Sequence, residues 1–205
     1  MRRFGNLAIV LITALVTCAL TSAFWLIAFN RGPVSAAPEP RQAEAQPAPP
    51  KAELEIGPAG LAIPVAGIKP EALADTYTQS RSGGRVHNAI DIMAPHGTPV
   101  LASAAGMVEK LFFSKGGGGI TVYVRSPDRK WIYYYAHLDE YAPGLTEGQN
   151  VKRGDVLGTV GSTGNANPAG PHLHFAVHQM AEGEDWHDGS PVNPYPLLVG
   201  KKTGG

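Results

Sequence analysis

The sequence predicts an all-β, antiparallel, sandwich-like domain, preceded by an N-terminal transmembrane helix and a Pro/Ala-rich linker. Three observations lead there. Apolar and polar residues alternate at the strand period of two in 120–124, 131–138 and 172–177. Gly and Pro, 25 and 18 residues, recur so often that the elements must be short and joined by tight turns. Beyond residue 57 no segment carries the helical period over a useful length.

Taken in order, the chain begins with Arg2 and Arg3, followed by an apolar run from Leu7 to Phe29. The run is long enough to span a bilayer and longer than the apolar core of a typical cleaved signal. The basic residues before it outweigh the single Arg31 after it, so the N-terminus is expected to stay cytoplasmic and the rest to be exported. Residues 1–31 therefore read as an anchor in the cytoplasmic membrane. Small residues at Val34-Ser35-Ala36-Ala37 leave cleavage and secretion as the alternative. Residues 32–56 are Pro, Ala, Glu and Gln with almost nothing to bury, a tether. The folded domain is expected over 57–200, with 201–205 a tail. The only cysteine, Cys18, lies in the apolar run, so any metal in the domain must be held by His and carboxylate. The 17 basic and 17 acidic residues balance, and no basic field points to nucleic acid.

Within the domain, Ile63-Pro64-Val65 reads as an opening strand, and Ser80 to Arg85 as a loop leading into Val86-His87-Asn88-Ala89-Ile90-Asp91-Ile92. Val100-Leu101-Ala102 and Met107 to Leu111 read as two short strands around a turn, and Gly116 to Gly119 as a hairpin loop. In the strand Trp131 to Leu138, period two places Tyr133, Tyr135 and His137 on one face and Ile132, Tyr134, Ala136 and Leu138 on the other. Glu147 to Gly161 reads as turn, strand, turn, strand. Its wording is similar to biotinyl and lipoyl carrier domains, but no lysine sits at a hairpin tip, so only architecture is shared. Ser162 to Gly170 is a polar loop that delivers Pro171-His172-Leu173-His174-Phe175.

The chemistry lies in the histidines. On a strand, His172 and His174 point the same way, with Cα atoms roughly 6–7 Å apart, while Leu173, Phe175 and Val177 face the core. His87 and Asp91 would lie roughly 13 Å apart in a straight strand. They can share a metal only if the segment is helical or the chain bends between them. The preferred reading is a loop carrying His87 that bends into a strand beginning near Ile90, with Asp91 on the site and Ile90 and Ile92 in the core. His87, Asp91 and one of the two downstream histidines then form a catalytic zinc set of two nitrogens and one oxygen. Further histidines remain to carry protons or to stabilise an oxyanion. No His-Glu-x-x-His helix is present.

Together, Val86 to Asp91, Gly97-Thr98-Pro99-Val100, Tyr135-Ala136-His137-Leu138, Val151-Lys152-Arg153-Gly154, Gly161-Ser162-Thr163-Gly164 and Pro171 to Phe175 resemble the lysostaphin/LytM-type zinc metallopeptidases. The resemblance covers roughly Ile63 to Leu198. It implies a β-rich fold with one zinc ion in a groove, held by His87, Asp91 and His174. It further implies His172 and His137 as general base and stabiliser of the tetrahedral intermediate. It implies bacterial peptidoglycan, its stem peptides or cross-links, as substrate, cut outside the cytoplasm. Two positions depart from the pattern: Ala89 where the family usually has Gly, and Ala176 where it often has Glu. Neither removes a ligand or a base. His96, His178 and His187 are read as solvated, as an in-register neighbour of His174, and as inert. Tyr133 and Tyr135 are read as either groove walls or packing. The expected function is a membrane-tethered peptidoglycan endopeptidase. The alternative is a non-catalytic peptidoglycan-binding or hydrolase-activator module of the same fold.

Overall fold

A computed structural model describes residues 54–57 and 59–200. The expected anchor, most of the linker and the C-terminal tail lie outside the described residues. Among the described residues, no helix is long and apolar enough to cross a membrane.

The domain is all-β and antiparallel, as expected. Its strands are β1 (Ile90–Met93), β2 (Pro99–Leu101), β3 (Gly106–Ser114), β4 (Gly119–Arg125), β5 (Trp131–Tyr141), β6 (Asn150–Val151), β7 (Val156–Val160), β8 (His172–Gln179) and β9 (Ser190–Val192), and one short helix, α1 (Tyr195–Val199), follows. All nine belong to one hydrogen-bonded sheet of order β1-β8-β5-β4-β3-β6. β7 pairs with β5 and β2, and β9 with β8. The sandwich-like expectation is corrected here, because the described strands form no separate second sheet. β2 also pairs with β7, and not with β3, which follows it in the chain.

The sheet branches at β5. Residues 131–136 of β5 pair with β8, and then β7 takes over at Leu138 and Tyr141. Between these two pairings the ladder to β4 shifts: Val122 faces Tyr135 while Ile120 faces Leu138. Two steps on β4 thus match three on β5, which is a β-bulge of one extra residue. His137 lies at this bulge with φ 61°, in the left-handed region. Its N–H donates to the Gly118 carbonyl at 2.7 Å.

The core covers one face of this sheet. Ile90 and Ile92 of β1, Val122 and Val124 of β4, Tyr133, Tyr135 and Leu138 of β5, and Leu173, Phe175 and Val177 of β8 are all buried in it. Burying side chains such as these is worth about 1.5–3 kcal/mol each, which pins the register of β8. A one-residue slip would carry His172 and His174 into the core. The bulge explains why the expected faces of β5 fail: beyond it the parity reverses, so Leu138 joins Tyr133 and Tyr135 in the core and His137 does not. The opening segment forms bridges in place of a full strand, Val65 with Val100 and Ile56 with Ala62.

Candidate metal centre

Three segments meet on the face of the sheet opposite the core. The first runs through His87 to Asp91. Asn88 has φ 56° and supplies the bend that the spacing demands. His87 stays on the loop while Asp91 enters β1 beside β8, where it pairs directly with His174. The second segment is β8, whose His172 and His174 share a face. The third is β5, whose Ala136 pairs with His174 and whose bulge turns His137 towards the same groove. The groove encloses about 500 Å³. Its lining includes Arg81, His87, Asp91, Tyr134, His137, His172 and His174.

The donor atoms converge. His87 Nε2 lies 2.9 Å from His174 Nδ1 and 3.0 Å from Asp91 Oδ1, and His174 Nδ1 lies 3.2 Å from the same oxygen. Bonds of about 2.0–2.1 Å in a tetrahedral site would separate neighbouring donors by roughly 3.4 Å. The triangle is close to that edge length, so this donor set fits a small tetrahedral cation. His172 Nε2 stands slightly further off, 3.7 Å from Asp91 Oδ1. The His137 ring lies 5.0 Å from that of His172, centre to centre.

Backbone carbonyls decide the tautomers. His87 Nδ1 bonds the Thr76 carbonyl at 2.9 Å, His137 Nδ1 that of Thr163 at 2.8 Å, and His172 Nδ1 that of Gly170 at 2.8 Å. A carbonyl can only accept, so each Nδ1 carries the proton and each neutral ring keeps a lone pair at Nε2. Burial pushes the pKa of His137 down to about 4. The Thr163 carbonyl opposes that shift, while charge on His174 and His172 adds to it. Burial likewise lowers His174, against the pull of Asp91. Burial would raise Asp91, but hydrogen bonding and charge from His174 and His87, when those rings carry the extra proton, outweigh it and hold the carboxyl well below the usual carboxylate range. Asp91 is therefore an anion at neutral pH, as a ligand must be.

Residues 85–194 match peptidase family M23. The chain belongs to this family. It is 36% identical over 121 residues to the L-Ala–D-Glu endopeptidase of Bacillus subtilis, covering 57% of this chain and 35% of that protein. It is 37% identical over 91 residues to the peptidoglycan DD-endopeptidase ShyC of Vibrio cholerae, covering 44% of this chain and 20% of that protein. The chain thus spans about a third or less of the length of these curated relatives. Among solved structures, the catalytic domain of lysostaphin from Staphylococcus simulans superposes with a TM-score of 0.52 at 29% identity, covering 62% of this chain and 90% of that one.

The structure brings His87, Asp91, His137, His172 and His174 together in the lining of this one groove. Other expectations shift. Tyr133 and Tyr135 pack in the core, and the groove wall is Tyr134, whose ring meets that of His174 edge-on at 5.9 Å between centres. His96 lies 3.2 Å from Asp139, His178 bonds the Asp188 carbonyl, and His187 packs against Trp186. None of these three lines the groove. Two contributors were not foreseen. Thr76 holds His87 through its carbonyl and the Asp91 N–H through Oγ1. Arg81 donates to Asp91 Oδ2. The spacing in sequence carries no signal for either, because both contacts depend on how the loop before His87 folds back.

Proposed function

We propose that this chain is a zinc metalloendopeptidase that hydrolyses peptide bonds in bacterial peptidoglycan. In this reading residues 1–31 tether it to the cytoplasmic membrane with the domain outside the cytoplasm. One observation carries the catalytic part: three ligand atoms converge beside two further imidazole lone pairs. Membership of a peptidase family and the names of the relatives support the substrate class.

His87 through Nε2, Asp91 through Oδ1 and His174 through Nδ1 would hold the metal. Bound zinc supplies Lewis acidity towards a scissile carbonyl and lowers the pKa of water towards 7. The chain's own residues do the rest. His172, its Nδ1–H fixed by the Gly170 carbonyl, presents Nε2 as a base at the edge of the cluster and can later return that proton to the leaving amine. His137 presents Nε2 in the same way. It can donate to a developing oxyanion only after taking up a proton, which its burial resists. Tyr134 stays protonated, because burial raises its pKa, and stands as a neutral wall of the groove.

The test pairs metal stoichiometry with hydrolysis of defined muropeptides, the products identified by mass spectrometry. The parent should bind one zinc and cut a peptide bond. His174→Ala should lose the metal. His172→Ala should keep it and lose about 10²–10⁴ in rate. A zinc-free parent that still binds wall fragments would favour the binding-module alternative, and a zinc-free His172→Ala beside a loaded His174→Ala would reverse the two roles.

A further inference from the structure

The Asp91 carboxylate is divided between two sets of partners. Its Oδ1 faces the imidazoles, at 3.0 Å from His87, 3.2 Å from His174 and 3.7 Å from His172. Its Oδ2 accepts a hydrogen bond from the Arg81 guanidinium. Arg81 is itself placed by backbone bonds. Ser80 and Val86 form an antiparallel bridge, and the Arg81 N–H donates to the Arg85 carbonyl at 2.8 Å. The His87 N–H donates to the Gln79 carbonyl at 3.0 Å. One small hairpin, turned by Gly83 and Gly84 at φ 73°, therefore carries the guanidinium on one arm and leads directly into the His87 ligand on the other.

We propose that Arg81 is a positioning residue that occupies Asp91 Oδ2, so that the carboxylate offers a single oxygen, Oδ1, to a bound cation. A free carboxylate can bind a metal through one oxygen or both. Binding through both would use a second coordination position, in a family of sites where three protein ligands leave the fourth position open. A guanidinium on Oδ2 blocks that second mode at little cost, since a charge-assisted hydrogen bond to a carboxylate is strong and directional. The surrounding charges fit this role. Among the described residues, Arg81 and Arg85 are the cations that line the groove, and Asp91 is its one acid. The alternative is an ordinary half-exposed ion pair, worth about 0–1 kcal/mol and indifferent to the metal. It predicts no change in coordination when Arg81 is replaced.

The inference rests on the metallopeptidase reading, and its test separates the two. The full chain is loaded with zinc for X-ray absorption and with cobalt(II) for visible absorption, as parent, Arg81→Gln and Arg81→Lys. The parent should show four light donors around the metal. Arg81→Gln should gain one donor and lose visible absorbance, as Oδ2 joins Oδ1. Arg81→Lys can still place a cation on Oδ2 and should return the spectra towards the parent. A parent that binds no metal sinks the metallopeptidase reading before any variant is compared. With a loaded parent, unchanged coordination in Arg81→Gln overturns the role of Arg81. Loss of the metal from Arg81→Gln overturns it too, because Arg81 would then support the His87 loop as a whole.

Discussion

Replacing His137 by Ala and, separately, by Gly tests whether the bulge stores backbone strain at the groove. Both variants delete the imidazole, its bond to the Thr163 carbonyl and its proton chemistry, so those losses cancel in the comparison. What remains is the backbone at φ 61°. An L-residue held in the left-handed region costs about 1–2 kcal/mol, and glycine is free of this cost. Glycine in turn loses about 0.5–1 kcal/mol through its freer unfolded chain. The left-handed term wins, and His137→Gly should be the more stable by about 1 kcal/mol. In an ordinary strand position the order would be the reverse. The assay is urea unfolding of the metal-free chain, with the slope checked for equality so that the midpoints compare directly. Both variants should keep zinc when loaded and turn over muropeptide about 10²–10³ more slowly than the parent. If His137→Ala is as stable as His137→Gly, the left-handed bulge is not under strain and this reasoning fails.

Three further outcomes follow from the same geometry. The unfolded His137 takes up its proton near its ordinary value of 6.5 and the folded one only near 4, so the unfolded chain binds the extra proton in that window and stability of the metal-free chain should rise with pH from 4 to 6.5, being lost as pH drops, by at most about 3 kcal/mol. Unfolding midpoints at several pH values should show this slope, and His137→Ala should flatten it; equal slopes would refute the buried neutral ring. Gly119→Ala should cost about 2–5 kcal/mol, because φ is +66° and a Cβ there would lie 2.2 Å from Thr163 Oγ1, and retained full stability by calorimetry would contradict that packing. Ala89 is fully buried and lies outside the left-handed region, the turn being made at Asn88, so Ala89→Gly should destabilise by about 1–2 kcal/mol and a gain in stability would argue that the chain strains to hold the methyl group.

Much of the site could be read from residue order. Alternation along His172 to Val177 settles which side chains share a face, because period two is a local property of any extended chain and burial of Leu173, Phe175 and Val177 enforces it. The separation of His87 from Asp91 demands a bend, since a straight strand would hold them too far apart, and Asn88, a residue that tolerates positive φ, sits at the place where the bend occurs. The kinds of ligand were equally legible, for with Cys18 outside the domain only His and carboxylate remain.

The tertiary structure decided what depends on partners distant in the chain. One extra residue in β5 against β4 reverses the parity after Ala136, sends His137 into the groove and puts Tyr134 in the place expected of Tyr133 or Tyr135. Period-two logic cannot see a bulge, because the bulge exists only relative to the neighbouring strand. The tautomers of His87, His137 and His172 are set by the carbonyls of Thr76, Thr163 and Gly170, groups that every residue carries and that no side-chain pattern reveals. The bond from Arg81 to Asp91 belongs to the same class. Ten residues of chain separate the two, and only the closure of the Ser80–Val86 hairpin brings the guanidinium to the carboxylate.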